Sequence, residues 1–347
     1  MDKKRLLITR FSAMGDVAMC VPVVWSLAKN YPETEIIFLS RKNFEPMFKQ
    51  CPKNVKFIGI DLKKDYKGIS GLNKLFNEIK ALNIDCYADF HDVLRTKFLR
   101  LRTTLTGITT KKIDKGRRQK KLLTKKGANN FTQLPTTFER YQKVLENLGF
   151  KFSIDFKSIF TSTVELPQKI ITLCGEKQDF KWVGIAPFAA HKGKILPLEK
   201  TEKLLEKLSS KNNIKTFLFG AGEKEKVILE NWQEKYTNVI STAGKLGGLE
   251  NELMLISKLD CMVSMDSANM HLASLTATRT VSIWGATHLK AGFLGFNQNE
   301  SDAVQINLPC RPCSIYGNKE CKLDQKYRCL EEINPDDILI KVLNIIN

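Results

Sequence analysis

Several features are scarce in this sequence, and each absence excludes a class of protein. No run reaches the roughly 18 apolar residues that a membrane-spanning helix needs. Arg10 and Asp16 interrupt the apolar start of the chain, where a signal peptide would stay apolar. The dinucleotide fingerprint G-x-G-x-x-G does not follow the first strand-like run. We therefore expect a cytoplasmic protein whose first turn does not bind a dinucleotide.

Acidic residues are also few relative to basic ones. The chain has 37 Asp and Glu against 55 Lys and Arg, a formal net charge of +18. Between Arg95 and Lys126, thirteen basic residues accompany one acid, Asp114. This basic run predicts an anionic partner, which is nucleic acid, a membrane surface or a phosphorylated substrate. The alternative is a chain rich in lysine throughout, with solvated charged faces.

The cysteines do not have the pattern of a secreted disulfide framework. Five of the nine are scattered singly, which is typical of reduced thiols in a core. The other four are spaced C-x2-C-x7-C-x7-C and are Cys310, Cys313, Cys321 and Cys329. Packed or redox-exchangeable thiols are the main interpretation, because this spacing matches no common zinc pattern. A structural zinc site is the alternative, and no catalytic metal is predicted.

Strand-like apolar runs alternate with amphipathic helical runs through most of the 347 residues. This pattern predicts an α/β fold with two doubly wound parallel sheets. We expect an N-terminal domain over residues 1–160 and a C-terminal domain over 161–330. A helix over 331–347 is expected to dock back toward the N-terminal domain. Ligands of such sheets bind outside the carboxyl ends of the strands, so the functional motifs should follow strands.

The first such motif is "ITRFSAMGDVAM", a strand and a turn of small residues before Gly15 and Asp16. Glycine lets backbone approach a ligand closely. A helix start favours the ionised form of an Asp, and this carboxylate could take a proton from a sugar hydroxyl. The alternative is an Asp that only caps the helix.

Three further motifs follow predicted strands in the second half. "SMDSANMHLAS" places a turn over Asp266 to Asn269 at a helix start, which suits an anionic or hydroxyl-rich ligand, although a simple N-cap would also explain it. "AAHKGKILP" places Lys194 where a cation could bind phosphate, and solvated loop lysines are the alternative. "GAGEKE" offers Glu223 and Glu225 for ribose hydroxyls or for a solvated helix start.

Together these motifs resemble glycosyltransferase family 9, the heptosyltransferase-like enzymes of lipopolysaccharide core assembly. The resemblance is carried by "ITRFSAMGDVAMCVPVVWSLAKNYPETEIIFLS" and "VSMDSANMHLASLTATRTVSIWGAT", and it extends to "DFHDVLRTKFLR", "TFERYQKVLENLG" and the tail. It implies the GT-B fold, in which two Rossmann-like domains face a cleft. It also implies an inverting transfer of heptose or a related sugar from a nucleotide sugar, with ADP-heptose as the expected donor and no required cofactor.

The resemblance also assigns roles to individual residues. Asp16 falls on the catalytic base and Lys194 on the lysine that binds the donor phosphates. The remaining predicted site residues are Asp266, Ser267, Ala268, His271, Glu223 and Glu225 for the donor, and Gly15, His91 and Arg95 for the acceptor. His288 is either a neighbour of the donor or a surface-loop histidine. Leu196 and Ala268 stand where the family commonly has Trp and Gly, which leaves the donor sugar open.

The implied acceptor is an anionic, lipid-linked core saccharide. The enzyme is therefore expected at the cytoplasmic face of the inner membrane, as a peripheral protein on an anionic surface. Two alternatives remain at the level of sequence. One is a different GT-B enzyme, a nucleotide-sugar epimerase or hydrolase, and the other is a basic nucleic-acid-binding protein.

Overall fold

The computed structural model describes residues 4–125 and 132–347, so Lys126 at the end of the basic run lies outside the described residues. Contacts divide the chain into two compact units. The first comprises Met1–Lys115 and Thr137–Ile159, and the second comprises Gly116–Thr136 and Phe160–Asn347. No helix in the described ranges combines the length and the apolar character that a bilayer crossing requires.

Strands and helices alternate along the described chain, as the sequence predicts. The strands are β1 (Arg5–Thr9), β2 (Glu35–Arg41), β3 (Val55–Ile60), β4 (Cys86–Asp89), β5 (Thr109–Lys112), β6 (Lys181–Ala186), β7 (Ile214–Leu218), β8 (Val239–Ser241), β9 (Cys261–Met265), β10 (Thr280–Trp284) and β11 (Val304–Gln305). The helices are α1 (Met14–Ala18), α2 (Cys20–Asn30), α3 (Gly68–Ala81), α4 (Leu94–Leu105), α5 (Arg117–Leu123), α6 (Thr137–Glu146), α7 (Gln168–Cys174), α8 (Leu198–Ser209), α9 (Glu223–Lys235), α10 (Leu249–Ile256), α11 (Ala268–Leu275), α12 (Arg328–Glu331) and α13 (Pro335–Ile346).

The first unit is a parallel five-stranded sheet in the order β3-β2-β1-β4-β5. Its central strands are buried on both faces, as expected for a sheet covered by helices. The strand order reverses between β1 and β4, which are neighbours in the sheet. The crevice at such a switch point is where doubly wound sheets bind ligands, so the segments after β1 and β4 are the candidate site of this unit.

The second unit is a parallel six-stranded sheet in the order β11-β10-β9-β6-β7-β8. Its order reverses between β6 and β9. The buried apolar faces of α8 and α13 complete its core. By the same argument, the segments after β6 and β9 are the candidate site of this unit. Both sheets confirm the predicted α/β class.

The contacts differ from the expected domain limits in one segment. The segment Gly116–Thr136 groups with the second unit and not with a continuous N-terminal domain up to residue 160. Leu134 N–H donates to Lys290 O at 3.0 Å, and the Lys120 ammonium lies 4.3 Å from the centre of the Phe293 ring. The basic run is therefore shared, because it belongs to the first unit up to Lys115 and to the second unit from Gly116.

The C-terminal helix also differs from expectation. The sequence predicts that it docks toward the N-terminal domain, but α13 packs on α8 and β9 of the second unit. Ile338, Val342 and Ile346 are fully or almost fully buried in the core of that unit. The helix begins as predicted, with Asn334 Oδ1 accepting from Asp336 N–H at 3.0 Å and Pro335 in the first turn.

Candidate active site

Asp16 lies directly after β1, at the switch point of the first unit. It is the third residue of α1, and its Oδ2 accepts the Ala13 N–H at 3.1 Å, which caps the helix. The same oxygen forms an ion pair with Arg10 Nη2 at 2.6 Å. The side chain is 30% exposed. Both of these contacts use Oδ2, so neither of them occupies the lone pairs of Oδ1.

Arg10 fixes the orientation of this carboxylate. The arginine is 8% exposed, and its Nη1 donates to Phe90 O at 2.7 Å on the segment after β4. The guanidinium therefore joins the ends of β1 and β4 and presents a charge to Asp16 from the buried side. Tyr141 Oη donates to Asp16 O at 3.2 Å and holds the helix backbone at the same point.

His91 lies beside Asp16 at the end of β4 and is 8% exposed. Phe11 N–H donates to its Nδ1 at 3.4 Å, and Ser12 Oγ lies 3.5 Å from its Nε2. Burial and the nearby charges of Arg10 and Lys115 lower the pKa of His91 to about 3. The imidazole is therefore neutral at physiological pH, and it can donate or accept a hydrogen bond without carrying charge.

The turn that carries His91 is itself held by a buried carboxylate. Asp89 Oδ1 accepts the backbone N–H of His91 at 2.9 Å and that of Asp92 at 2.8 Å. Asp89 has no exposed surface, and its charge is balanced by an ion pair with Arg100. Sequence reasoning missed both residues, although a carboxylate that ends a strand and is followed by a polar turn is a recognisable signal.

The other two predicted acceptor residues, Gly15 and Arg95, differ in exposure. Gly15 is half-buried within α1, where its carbonyl accepts from Met19 N–H at 2.9 Å. Arg95 is exposed in the first turn of α4, four residues after His91. Their assignment to the acceptor remains a prediction.

His91 gives the stability of the protein a pH dependence with a definite sign. The unfolded chain takes up a proton near pH 6.5, but the folded histidine does so only near pH 3. The free energy of unfolding therefore decreases as pH falls from 6.5 toward 3, by up to about 1.4 kcal/mol per pH unit.

We expect His91→Asn to flatten this dependence of the unfolding free energy on pH, measured by urea unfolding at pH 6.5, 5.5 and 4.5. His191→Asn, at an exposed position, is the control and should keep the parent slope. Equal slopes in all three proteins would contradict the assignment.

In the second unit, the segments after β6 and β9 meet through a buried ion pair. Lys194 Nζ lies 2.8 Å from Asp266 Oδ2, and the two side chains are 15% and 4% exposed. The pair therefore joins the two strands on either side of the switch point. A cation and a carboxylate held together at a strand end can bind, respectively, the phosphates and the sugar hydroxyls of a nucleotide sugar.

Glycines allow the Lys194 segment to pack directly on the segment after β10. Gly193 O accepts Ala286 N–H at 2.8 Å. A Cβ at Gly193 would lie 2.9 Å from Ala286 Cβ, and a Cβ at Gly285 would lie 2.6 Å from Gly193 O. Side chains at either glycine would therefore force the two segments apart. The segments after β6, β9 and β10 thus form one continuous surface.

The structure shortens the predicted turn after β9. The sequence predicts a turn over Asp266 to Asn269, but α11 begins at Ala268, so the turn is Asp266–Ser267. Ser267 is the N-cap residue without a capping hydrogen bond from its side chain, and its Oγ lies 3.3 Å from Ser264 Oγ. The simple capping explanation is therefore wrong for Ser267. His271 is 6% exposed within the same helix.

Sequence reasoning did not select Thr287 and Arg311, which also belong to this surface. Thr287 is fully buried, and its hydroxyl has no hydrogen-bond partner among the described residues. Arg311, 3% exposed, donates to Gly285 O at 2.5 Å, to Thr287 O at 2.9 Å and to Trp284 O at 3.1 Å. Arg311 therefore fixes the backbone after β10 from behind. A "GAT" directly after a strand was the available signal.

The two candidate ribose carboxylates have different surroundings. Glu225 Oε2 accepts Ala221 N–H at 2.7 Å and so caps the turn after β7. Glu223 is 79% exposed and lies 3.8 Å from Lys226. His288 is half-buried and caps a short 3-10 turn, with its Nδ1 accepting from Lys290 N–H at 3.1 Å. Burial and the charges of Arg311 and Lys290 lower the pKa of His288 to about 4.

The four C-terminal cysteines are free thiols in a shared neighbourhood. Burial raises the pKa of Cys329 to about 11, the Arg311 charge opposes this, and the other three thiols raise it further. In the described part of the chain, no group of three or more Cys, His, Asp or Glu side chains is arranged to hold a metal ion. Cys329 is buried, and the other three are partly exposed.

Two doubly wound parallel sheets, each with candidate side chains at its switch point, are typical of the GT-B fold. Solved structures of this architecture cover almost the whole chain. The E. coli ADP-heptose lipopolysaccharide heptosyltransferase II matches with a TM-score of 0.70 at 16% identity, over 99% of this chain and 98% of that one. The E. coli heptosyltransferase WaaC with ADP matches with a TM-score of 0.68 at 16% identity, over 98% and 99%.

Sequence comparison identifies the family to which the chain belongs. The model of glycosyltransferase family 9 (heptosyltransferase) matches residues 73–324. The lipooligosaccharide heptosyltransferase 2 of Campylobacter jejuni is 23% identical over 96% of this chain and 95% of its own. The chain belongs to glycosyltransferase family 9. It is a glycosyltransferase, and the predicted family and enzyme class are confirmed.

Proposed function

We propose that this enzyme transfers heptose, or a closely related sugar, from its ADP derivative to a lipid-linked saccharide of the lipopolysaccharide core, with inversion at the anomeric carbon. The observation that carries the proposal is the buried Lys194–Asp266 pair between β6 and β9, beside the N-terminus of α11. The sugar and the nucleotide in this proposal are taken from the similar proteins, which include an ADP-heptose heptosyltransferase and a heptosyltransferase with ADP.

The donor occupies the second unit in this proposal. Lys194 contacts the diphosphate, and the first-turn amides of α11, which have no acceptor within the helix, face the same anion. Asp266 accepts hydrogen bonds from sugar hydroxyls in this arrangement. Glu225 Oε2 accepts the Ala221 N–H and Glu223 is exposed, and either carboxylate is a candidate for the ribose hydroxyls.

Asp16 is the base in the transfer step. Its Oδ1 accepts the proton of an acceptor hydroxyl while that oxygen forms a bond to the anomeric carbon and the bond from this carbon to the phosphate oxygen breaks. The electron pair leaves with the diphosphate, whose charge Lys194 and the α11 amides stabilise. Attack opposite the leaving group inverts the anomeric carbon, because only one displacement occurs.

The acceptor belongs to the first unit in this account. Gly15 gives close access to backbone, His91 offers a neutral hydrogen-bonding group, and the exposed Arg95 suits the phosphates of a core saccharide. An acceptor anchored in a bilayer places the enzyme as a peripheral protein on the cytoplasmic face of the inner membrane. The net charge of +18 is favourable on an anionic surface.

A thermal-shift panel tests the donor assignment. Each nucleotide sugar binds only the folded protein, so a ligand at 100 times its dissociation constant adds about 2.7 kcal/mol to the free energy of unfolding. We expect ADP and ADP-heptose to raise Tm, and UDP-N-acetylglucosamine at the same concentration to raise it less. If UDP sugars stabilised the protein and ADP derivatives did not, the proposed donor would be wrong.

A further inference from the structure

Helix α4 exposes three leucines on one face. Leu94, Leu101 and Leu105 are 84%, 62% and 75% exposed, although their side chains are large and apolar. They are spaced by seven and four residues, which places them along one side of an α-helix. The opposite side of the helix is buried through Thr96, Leu99 and Thr103. The leucine face is thus a continuous apolar strip on the surface of the first unit.

Positive charge accompanies this strip, and no acid lies within α4. Arg100 is paired with Asp89 and Asp92, and Arg102 donates to Asn73 Oδ1 at 3.0 Å. Arg95 and Lys97 are exposed within the same helix. Lys111, on the neighbouring strand β5, is also exposed. The apolar strip is therefore flanked by cations.

We propose that the exposed face of α4, defined by Leu94, Leu101 and Leu105 with Arg95 and Lys97, docks the enzyme on an anionic lipid surface. Leucines enter the boundary between headgroups and acyl chains, while the flanking cations contact anionic headgroups. A helix with an apolar face and a basic border is typical of interfacial binding. A second copy of the chain is disfavoured as the occupant, because two such faces would bring like charges together.

The position of α4 connects this surface with the candidate site. The helix begins at Leu94, three residues after His91, on the segment that leaves the carboxyl end of β4. Docking through α4 would therefore hold the switch point of the first unit close to the lipid surface. The inference rests on the proposed function only in taking the lipid surface to be the membrane that carries the acceptor. Binding of the protein to lipid requires neither the sugar donor nor the acceptor.

Vesicle sedimentation of the full-length protein tests the proposal. The vesicles are phosphatidylcholine with 30% phosphatidylglycerol, a composition chosen for about one anionic headgroup in three, and pure phosphatidylcholine is the comparison. We expect Leu101→Ser/Leu105→Ser to lower binding to the anionic vesicles about tenfold or more. Lys97→Gln should lower it about fivefold at low salt and less at high salt. Val227→Ser/Ile340→Ser removes two exposed apolar side chains from the second unit and should bind as the parent does.

A tryptophan variant keeps the test decisive if the serine variant folds poorly. The emission of Leu101→Trp, measured as the difference from the parent spectrum, should shift to shorter wavelength on adding anionic vesicles. Parent-like vesicle binding by the double serine variant, or no emission shift in Leu101→Trp, would overturn the proposal. A parent dimer that becomes monomeric in the serine variant would assign the face to a second copy instead. None of these readouts uses a sugar, so failure of the proposed function would show separately in the donor panel.

Discussion

Replacing Asp16 with asparagine is expected to lower turnover about 100-fold or more while leaving donor affinity nearly unchanged. The substitution keeps the size of the side chain and an oxygen that can accept the Ala13 N–H, but it removes the basic carboxylate. Lys194 and Asp266, the proposed donor contacts, are not altered by this substitution. Turnover with saturating donor and acceptor, together with donor titration, separates the two effects.

Arg10 provides the control for the structural part of this effect. In Asp16→Asn the buried guanidinium loses its ion-pair partner, so some loss of stability is expected in addition to the loss of the base. Arg10→Met removes the same ion pair but keeps the carboxylate. We expect Arg10→Met to lose stability and to retain clearly more turnover per folded molecule than Asp16→Asn. Parent-like turnover in Asp16→Asn would remove Asp16 from the mechanism.

Replacing Lys194 with alanine is expected to weaken donor affinity about 10- to 100-fold. The variant loses a charge-assisted contact to the diphosphate, which contributes roughly 1.5–3 kcal/mol. It also leaves the Asp266 carboxylate, 4% exposed, without its cation, which disfavours a second anion nearby. Titration calorimetry with ADP measures the change directly.

Lys192 is the matched control for Lys194. It lies two residues away in the same short 3-10 turn but is exposed. Lys192→Ala removes an equal charge from the segment and should change ADP affinity less than about threefold, which corresponds to an exposed, screened charge. If the two alanine variants bound ADP equally well, Lys194 would have no specific role at the phosphates.

The fold was largely predictable because local patterns carry most of it. Strands such as Cys261–Met265 and Thr280–Trp284 are buried on both faces, and their mainly apolar sequences predict a parallel sheet. Helix α4 is harder to recognise, because its three exposed leucines and four basic residues disturb the amphipathic pattern that identifies a surface helix.

The candidate residues could be selected one by one from the sequence, but their arrangement could not. The location of Asp16, Lys194 and Asp266 after predicted strands identified them as candidates. The pairing of Lys194 with Asp266 is a contact between residues 72 positions apart, and it depends on β6 and β9 being neighbours in the sheet. The pairing of Arg10 with Asp16 is local in sequence. The surroundings that bury the Arg10 side chain come from elements farther along the chain, β4 and α6.

The central claim is that the enzyme couples release of the nucleotide to formation of a glycosidic bond. Product analysis by mass spectrometry, with ADP-heptose present and the lipid-linked core acceptor either added or omitted, tests it most directly. We expect one ADP for each extended acceptor when the acceptor is present, and almost no donor consumption when it is omitted. Hydrolysis or epimerisation of the donor without acceptor, with no extended product when acceptor is added, would contradict the account.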